Sequence, residues 1–439
     1  MEHTRTEVYA QRLSQLIQVE TVSVENQQDL SKFYEFQNLL RQMFPTLFSV
    51  CTHQDFDGSF LLRWKGKTTQ EPIMLMNHHD VVEANGAWTY PPFSGTIANG
   101  KLWGRGTLDT KGGLWAMLQA AEELAEAGFV PSRDIYFLSA CTEETNGSGA
   151  DRISRHLQEQ GIRFSLVLDE GGSIMKEPIS GANGTFALIG LGEKGCADLK
   201  FIARSAGGHA STPGKNTPLV RLGKFMAEAE KAKLFRAELS PVICEMFRSL
   251  STTMKQPLKF VLGHPKLFQP LLVRVIPAVS NMAGAMLKTT LAFTMAGGSD
   301  GSNVLPQEAW VVGNMRYSHH QGCEDSIQQV RKLAETYDIE TQVMDHGVSS
   351  GLSSHKTPAF ALVARGVETI FPGVIPAPYV MTGASDCRFM SRVSDHCLRF
   401  APFQISQEQL GSIHGLDENV DLSALAPAVD FYKFIMEEA

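Results

Sequence analysis

Apolar runs that stop abruptly in acids and histidines organise the first half of the chain. IMLM (73–76) is a continuous apolar run of strand length that gives way at once to Asn77, His78, His79 and Asp80. IYFLSA (135–140) runs into Glu143 and Glu144, and SLVL (165–168) runs into Asp169 and Glu170. Between them the periodicity is helical. Leu114, Met117, Leu118, Ala121, Leu124 and Ala125 share one stripe that Gly128 stops, and residues 152–160 read as another helix. Upstream, Leu13, Leu16 and Ile17, then Phe33, Phe36, Leu39 and Leu40, repeat the helical spacing. The alternation predicts an α/β fold with a mainly parallel central sheet, and sites in such sheets collect outside the carboxyl ends of the strands.

The pattern changes near Gly192 to Gly195. CADLKFIARS (196–205) alternates as a half-exposed strand should, a helix follows over 218–232, and an irregular insert over 237–288. A strand before Ser302, another over 310–317, a helix over 323–337 and a strand over 339–344 complete a compact α+β unit. From Thr357 the first pattern resumes, ending in a helix after Asp421. The division expected is a discontinuous domain, 1–194 and 350–439, with a second domain, 195–349, inserted into it.

Length and composition narrow the function. The 439 residues, 43% hydrophobic, are enough for two domains, and a net charge of −8 excludes a nucleic-acid binder that works by a basic surface. The amino terminus has no charged n-region ahead of an apolar stretch, and no run of about 18 apolar residues occurs, so a cytoplasmic protein with no membrane partner is expected. Seven scattered cysteines without a C-x-x-C pair argue against a disulfide framework or a sulfur-ligated metal, and Cys141 reads as a buried structural thiol.

His, Asp and Glu gathered without thiolates form a nitrogen and oxygen ligand set suited to zinc or a similar divalent ion. There are too many carboxylates for one ion. A carboxylate such as Asp109 can bridge two metals, and the Glu143–Glu144 pair divides into a ligand and a neighbour free to act as general base. GRGTLDTKGG (104–113) holds glycines, threonines and a lysine before a helix, but it lacks the spacing of a phosphate-binding loop.

HHDVV (78–82), GRGTLDTKGG (104–113), EET (143–145), DEGG (169–172), GGHAS (207–211) and IHGLDE (413–418) stand in an order and spacing that resemble the two-zinc exopeptidase family. That family contains aminoacylase, glutamate carboxypeptidase, carboxypeptidase S and succinyl-diaminopimelate desuccinylase. The inserted segment looks most like the carboxypeptidase S branch. The resemblance covers nearly the whole chain, and it implies a zinc-exopeptidase catalytic domain plus an inserted α+β lid that carries a homodimer contact.

By the same resemblance, His78, Asp109, Glu144, Glu170 and His414 are the metal ligands, with Asp169 as an alternative to Glu170, and Asp109 is the bridge. Asp80 orients His78, Glu143 is the general base, and His209 polarises the scissile carbonyl, in relatives from across the dimer. Asn303 and Arg316, with Arg388 and Gly383, match residues that hold the substrate's carboxylate.

The implied activity is metal-dependent cleavage of the amide bond of small peptides with a free C-terminal carboxylate. The alternatives are an N-acyl-amino-acid hydrolase and, more distantly, a dimeric scaffold without catalysis. The cofactors implied are two divalent ions, zinc first and cobalt or manganese next. Two departures, Glu83 in place of a proline and Gly383-Ala384-Ser385-Asp386 in place of G-T-D, remove no ligand and bear on the substrate pocket.

Overall fold

The computed structural model of the protein describes residues 4–439 apart from Asn146, Ser349 and the side chain of Met282. Ile135–Ser139, Ile73–Met76, Leu166–Asp169 and Cys397–Arg399 lie side by side, all parallel, in the middle of a ten-stranded sheet. The first three are buried along their full length, as strands covered on both faces must be. Ile73 and Leu75 face one core, and Met74 and Met76 face another, the two-residue period of a pleated strand. Helices Arg5–Ile17, Ser31–Met43, Lys111–Glu126 and Leu422–Glu438 supply the first core through Leu13, Phe36, Trp115 and Phe431; Ser148–Glu159 supplies the second through Ile153 and Leu157. The mixed α/β class with a mainly parallel central sheet, legible in the sequence, is the fold observed.

An antiparallel hairpin, Cys51–Phe56 with Ser59–Trp64, extends one edge of the sheet. On the other side Thr185–Glu193 pairs with Cys397–Arg399, Ile174–Lys176 and Ile375–Met381. After Thr185–Glu193 a single residue, Lys194, leads into Gly195–Arg204, which is a central strand of the second sheet. That sheet has four antiparallel strands, ordered Thr290–Gly297, Glu308–Tyr317, Gly195–Arg204, Glu340–Asp345. Helices Pro218–Lys231 and Cys323–Glu335 cover it through Leu222, Phe225, Ile327 and Val330, so this unit has its own core.

The insert over 237–288, expected as irregular, is four helices: Pro241–Ser251, Leu258–Gly263, Gln269–Val279 and Asn281–Leu287. Pro257, Pro265, Pro270 and Pro277 keep them short, which hides their periodicity from a longer window. The hydroxyls of Ser240 and Ser280 cap two of them. Val242, Ile243, Met246, Phe247, Leu250 and Leu272 join the core of the large sheet, beside Ile375–Met381. The helices therefore cover the large sheet although they lie within the inserted stretch of sequence.

One close approach sets the position of the loop from Gly104 to Thr110. A Cβ on Gly112 would lie 2.1 Å from the Thr107 carbonyl oxygen, so only glycine lets the first turn of helix Lys111–Glu126 sit against that loop. Gly112→Ala is expected to cost roughly 1–3 kcal/mol of stability. Urea unfolding of that variant beside the parent checks it.

Candidate metal centre

Three parallel strands deliver their candidate ligands to one place because they are neighbours in the sheet. Ile73–Met76 lies between Ile135–Ser139 and Leu166–Asp169, so residues 78–80, 143–144 and 169–170 emerge together at the carboxyl end. Asp80, which has no solvent exposure, ties two of these ends. Its carboxylate accepts from Ser23 Oγ at 2.7 Å, Glu144 N at 3.0 Å and Glu143 N at 3.2 Å, and lies 3.4 Å from His78 Nδ1.

Asp109 faces a different histidine with each oxygen. Oδ1 is 3.1 Å from His78 Nε2 and Oδ2 is 3.0 Å from His414 Nε2. His414 Nε2 is also 3.1 Å from Glu144 Oε2. The other Glu144 oxygen, Oε1, is buried with no hydrogen-bond partner. Donor atoms of His78, Asp109 and Glu144 all lie within 4.8 Å of one another.

Charge is unbalanced here. Asp80, Asp109, Glu143, Glu144, Asp169 and Glu170 crowd the site, and among the described residues the sole arginine or lysine ion-paired to any of them is Arg388, 3.5 Å from Glu143. Burial pushes the Glu143 carboxyl well above the ordinary range; Asp386 and Glu144 add to this, against His78 and Arg388. Glu170 is driven up by burial and then by Asp109 and Asp169. His414, hydrogen-bonded to Asp109 and Glu144, is raised to about 10. The donor set is nitrogen and oxygen, one buried oxygen is unpartnered, and negative charge is in excess. These residues fit divalent cations.

Asp169 and Glu170 differ in what they touch. Asp169 accepts backbone hydrogens from Glu170 and Cys387, each at 2.8 Å, one on each oxygen. The Glu170 carboxyl makes no hydrogen bond among the described residues, although it interacts electrostatically with Asp109 and Glu143.

The structure brings together His78, Asp80, Asp109, Glu143, Glu144, Glu170, His414 and Arg388. The remaining candidates lie elsewhere. His209 is exposed on a two-stranded ladder, Gly208–His209 with Val304–Leu305, its Nδ1 held by Ser211, and Asn303 is exposed beside it. Arg316 lies on strand Glu308–Tyr317 opposite Cys196 and Thr290, and its Nε donates to Asn314. Gly383 is exposed in the segment before buried Asp386. Among the described residues no hydrogen bond or ion pair links His209, Asn303 or Arg316 to the carboxylate cluster.

Two buried carboxylates that support the site were not singled out in the sequence. Glu418 accepts from Arg105 Nη1 at 2.7 Å and from the amides of Leu108, Asp109 and Gly106 at 2.8, 3.1 and 3.2 Å, pinning the Asp109 loop to the segment that carries His414. Glu193, the last residue of its strand, accepts from Ser385 Oγ, Arg399 Nε and Ser385 N at 2.8, 2.9 and 3.0 Å. An acid within a motif, here Glu418 in IHGLDE, was the available signal for the first. Glu193 has none, since its partners lie far along the chain.

Known proteins resemble this chain in sequence and in fold. The human N-fatty-acyl-amino acid synthase/hydrolase PM20D1 is 30% identical over 437 residues, spanning 96% of this chain and 86% of the relative. Carboxypeptidase S of Saccharomyces cerevisiae is 27% identical over 462 residues, spanning 92% of this chain and 78% of the relative. The fold matches that of the M20 family metallo-carboxypeptidase Sso-CP2 from Sulfolobus solfataricus, with a TM-score of 0.71 at 15% identity over 98% of both chains. A dinuclear metal binding peptidase of the M20 family, YXEP of Bacillus subtilis, matches with a TM-score of 0.59 at 10% identity over 98% of both chains. The profile of peptidase family M20/M25/M40 matches residues 74–438, and the chain belongs to that family.

Proposed function

We propose that this metallopeptidase-family hydrolase uses two divalent ions, zinc first and cobalt or manganese next, to cut the amide bond of small peptides with a free C-terminal carboxylate. The observation that carries the reading is Asp109, whose two oxygens face His78 and His414 separately while Glu144 shares His414. The proposed ligands are His78, Asp109, Glu144, Glu170 and His414. Glu170 is preferred to Asp169 because both Asp169 oxygens already accept backbone hydrogens. Bound there, the ions lower the pKa of a water and withdraw charge from the scissile carbonyl.

The chain's own residues do the rest. Asp80 fixes the ring of His78 and, through two backbone amides, the position of Glu143. Glu143, its carboxyl pushed above the ordinary range chiefly by burial, takes the proton of the attacking water and passes it to the leaving amine. His209 donates to the carbonyl oxygen as charge develops on it. Arg316 and Asn303, with Arg388 and Gly383, hold the substrate's carboxylate, the arginines by charge-assisted hydrogen bonds.

His209 and Asn303 reach a metal centre from a second copy of the chain in this reading. An unpaired sheet edge, Thr290–Gly297 with Met295 60% exposed, supports a homodimer through the inserted domain. Seven unpaired cysteines suit the reducing cytoplasm. Hydrolysis of N-acyl amino acids is the second reading, supported by the 30% identity to the human protein named for N-fatty-acyl amino acids.

Free-amine release from a mixed pool of dipeptides and N-acyl amino acids separates the two, since only one half of the pool is consumed in each case. Glu143→Gln should lower turnover by roughly 10²–10⁴-fold while metal content stays at the parent's value. Full activity in that variant would remove Glu143 as the base. Glu170→Gln should lose bound metal by elemental analysis and Asp169→Asn should not; the reverse would exchange their roles. For His209→Ala the expected result is a fall of about 10²–10³-fold in turnover with metal retained, and metal loss there would make it a ligand instead.

A further inference from the structure

Exposed apolar side chains are concentrated on the helical insert. Among the described residues 18 large hydrophobics are exposed, and six of them, Leu258, Phe260, Leu267, Leu271, Val275 and Val279, fall in 22 consecutive positions. Leu267 is 69% exposed and Val279 75%. Leu267, Leu271, Val275 and Val279 recur every fourth residue, so they form one slowly turning stripe along helix Gln269–Val279 and the residues leading into it. The other side of that helix is already used: Leu272 is buried in the core of the large sheet, with Phe268, Val273 and Ile276 packed against it. The helix is thus apolar on both sides and docked on one.

Charge on this segment runs opposite to that of the chain. Between Glu245 and Asp300 there is no acidic residue, yet there are six lysines and arginines, in a protein of net charge −8. Lys255, Lys259, Lys266 and Arg274 are all exposed, and among the described residues none of them is ion-paired. A two-fold contact with a second copy would bring this cationic face against itself, with no acids on either side to answer it. An anionic lipid surface answers both features at once. Its headgroups pair with the cations, and its acyl boundary takes up the leucines, valines and phenylalanine.

We propose that the insert from Lys255 to Lys288 is a peripheral docking surface for an anionic phospholipid bilayer. No described helix is long and apolar enough to cross a membrane, so the contact lies on the surface of the bilayer. It departs from the expectation that the protein has no membrane partner. The proposal is independent of which amide the metal centre hydrolyses.

The test is sedimentation of the whole protein with phosphatidylcholine vesicles and with vesicles containing about 30% phosphatidylserine. The parent is expected to bind the anionic vesicles about tenfold or more tightly than the neutral ones, and to be released by about 0.5 M salt. Lys259→Glu, Lys266→Glu and Arg274→Glu together should abolish the preference. Leu267→Ser, Leu271→Ser and Val279→Ser should weaken binding to the same vesicles. Both sets alter exposed side chains outside the catalytic machinery, so amide hydrolysis in solution should stay at the parent's rate and shows that each variant is folded. Equal binding to both vesicles, or to neither, overturns the proposal. So does a serine variant that turns a dimer into a monomer by light scattering, which would assign the stripe to a second copy.

Discussion

The buried carboxylate of Asp80 is the joint on which the centre depends. Burial alone would raise its pKa, yet its hydrogen bond and charge interaction with His78, followed by the Ser23 hydroxyl, hold it below the ordinary aspartate range. Backbone hydrogens from Glu143 and Glu144 complete its coordination. An ionised group with no exposure is tolerated only where hydrogen bonds replace its water. Here those bonds also do structural work, because they lock the end of strand Ile135–Ser139 to the end of strand Ile73–Met76. The distance from the base candidate to the histidine is set by one side chain.

The same device recurs where chain ends must be joined over long separations. Glu418 gathers three amides and a guanidinium from the Asp109 loop, and Glu193 gathers Ser385 and Arg399 where the chain leaves for the second sheet. Carboxylates in both places act as acceptors for backbone N–H groups, which are fixed in direction and cost little entropy to hold. Loops that carry candidate ligands can be irregular because buried acids, rather than secondary structure, determine their shape.

These acids mark the limit of what the sequence discloses. The strands were legible because IMLM, IYFL and LVL are apolar runs, and acids and histidines follow within a few residues. Their convergence followed from the rule for parallel sheets. Glu193 carries no such signal, since its meaning lies in Ser385 and Arg399, and only the fold brings those near. The four insert helices were missed for another reason. Prolines cut them below the length at which a 3.6-residue period can be told from chance, and their stability comes from packing of Val242, Phe247 and Leu272 on the large sheet. Asp169 and Glu170 could not be separated in sequence because the difference between them is which one the amide of Cys387 happens to meet.

The candidate site residues differ in how the fold holds them. His78, Asp80, Glu143 and Glu144 follow buried strands, and Asp80 and Asp109 each touch residues on at least two other segments, so a change in either disturbs several partners at once. His209, Asn303 and Gly383 are exposed on turns that the core does not constrain, and Arg316 reaches out from a half-buried strand toward another side chain, Asn314. Residues placed in this way can vary without unfolding the molecule. The family is therefore readable from six short motifs, while at the exposed candidate positions the physics of folding leaves several side chains acceptable.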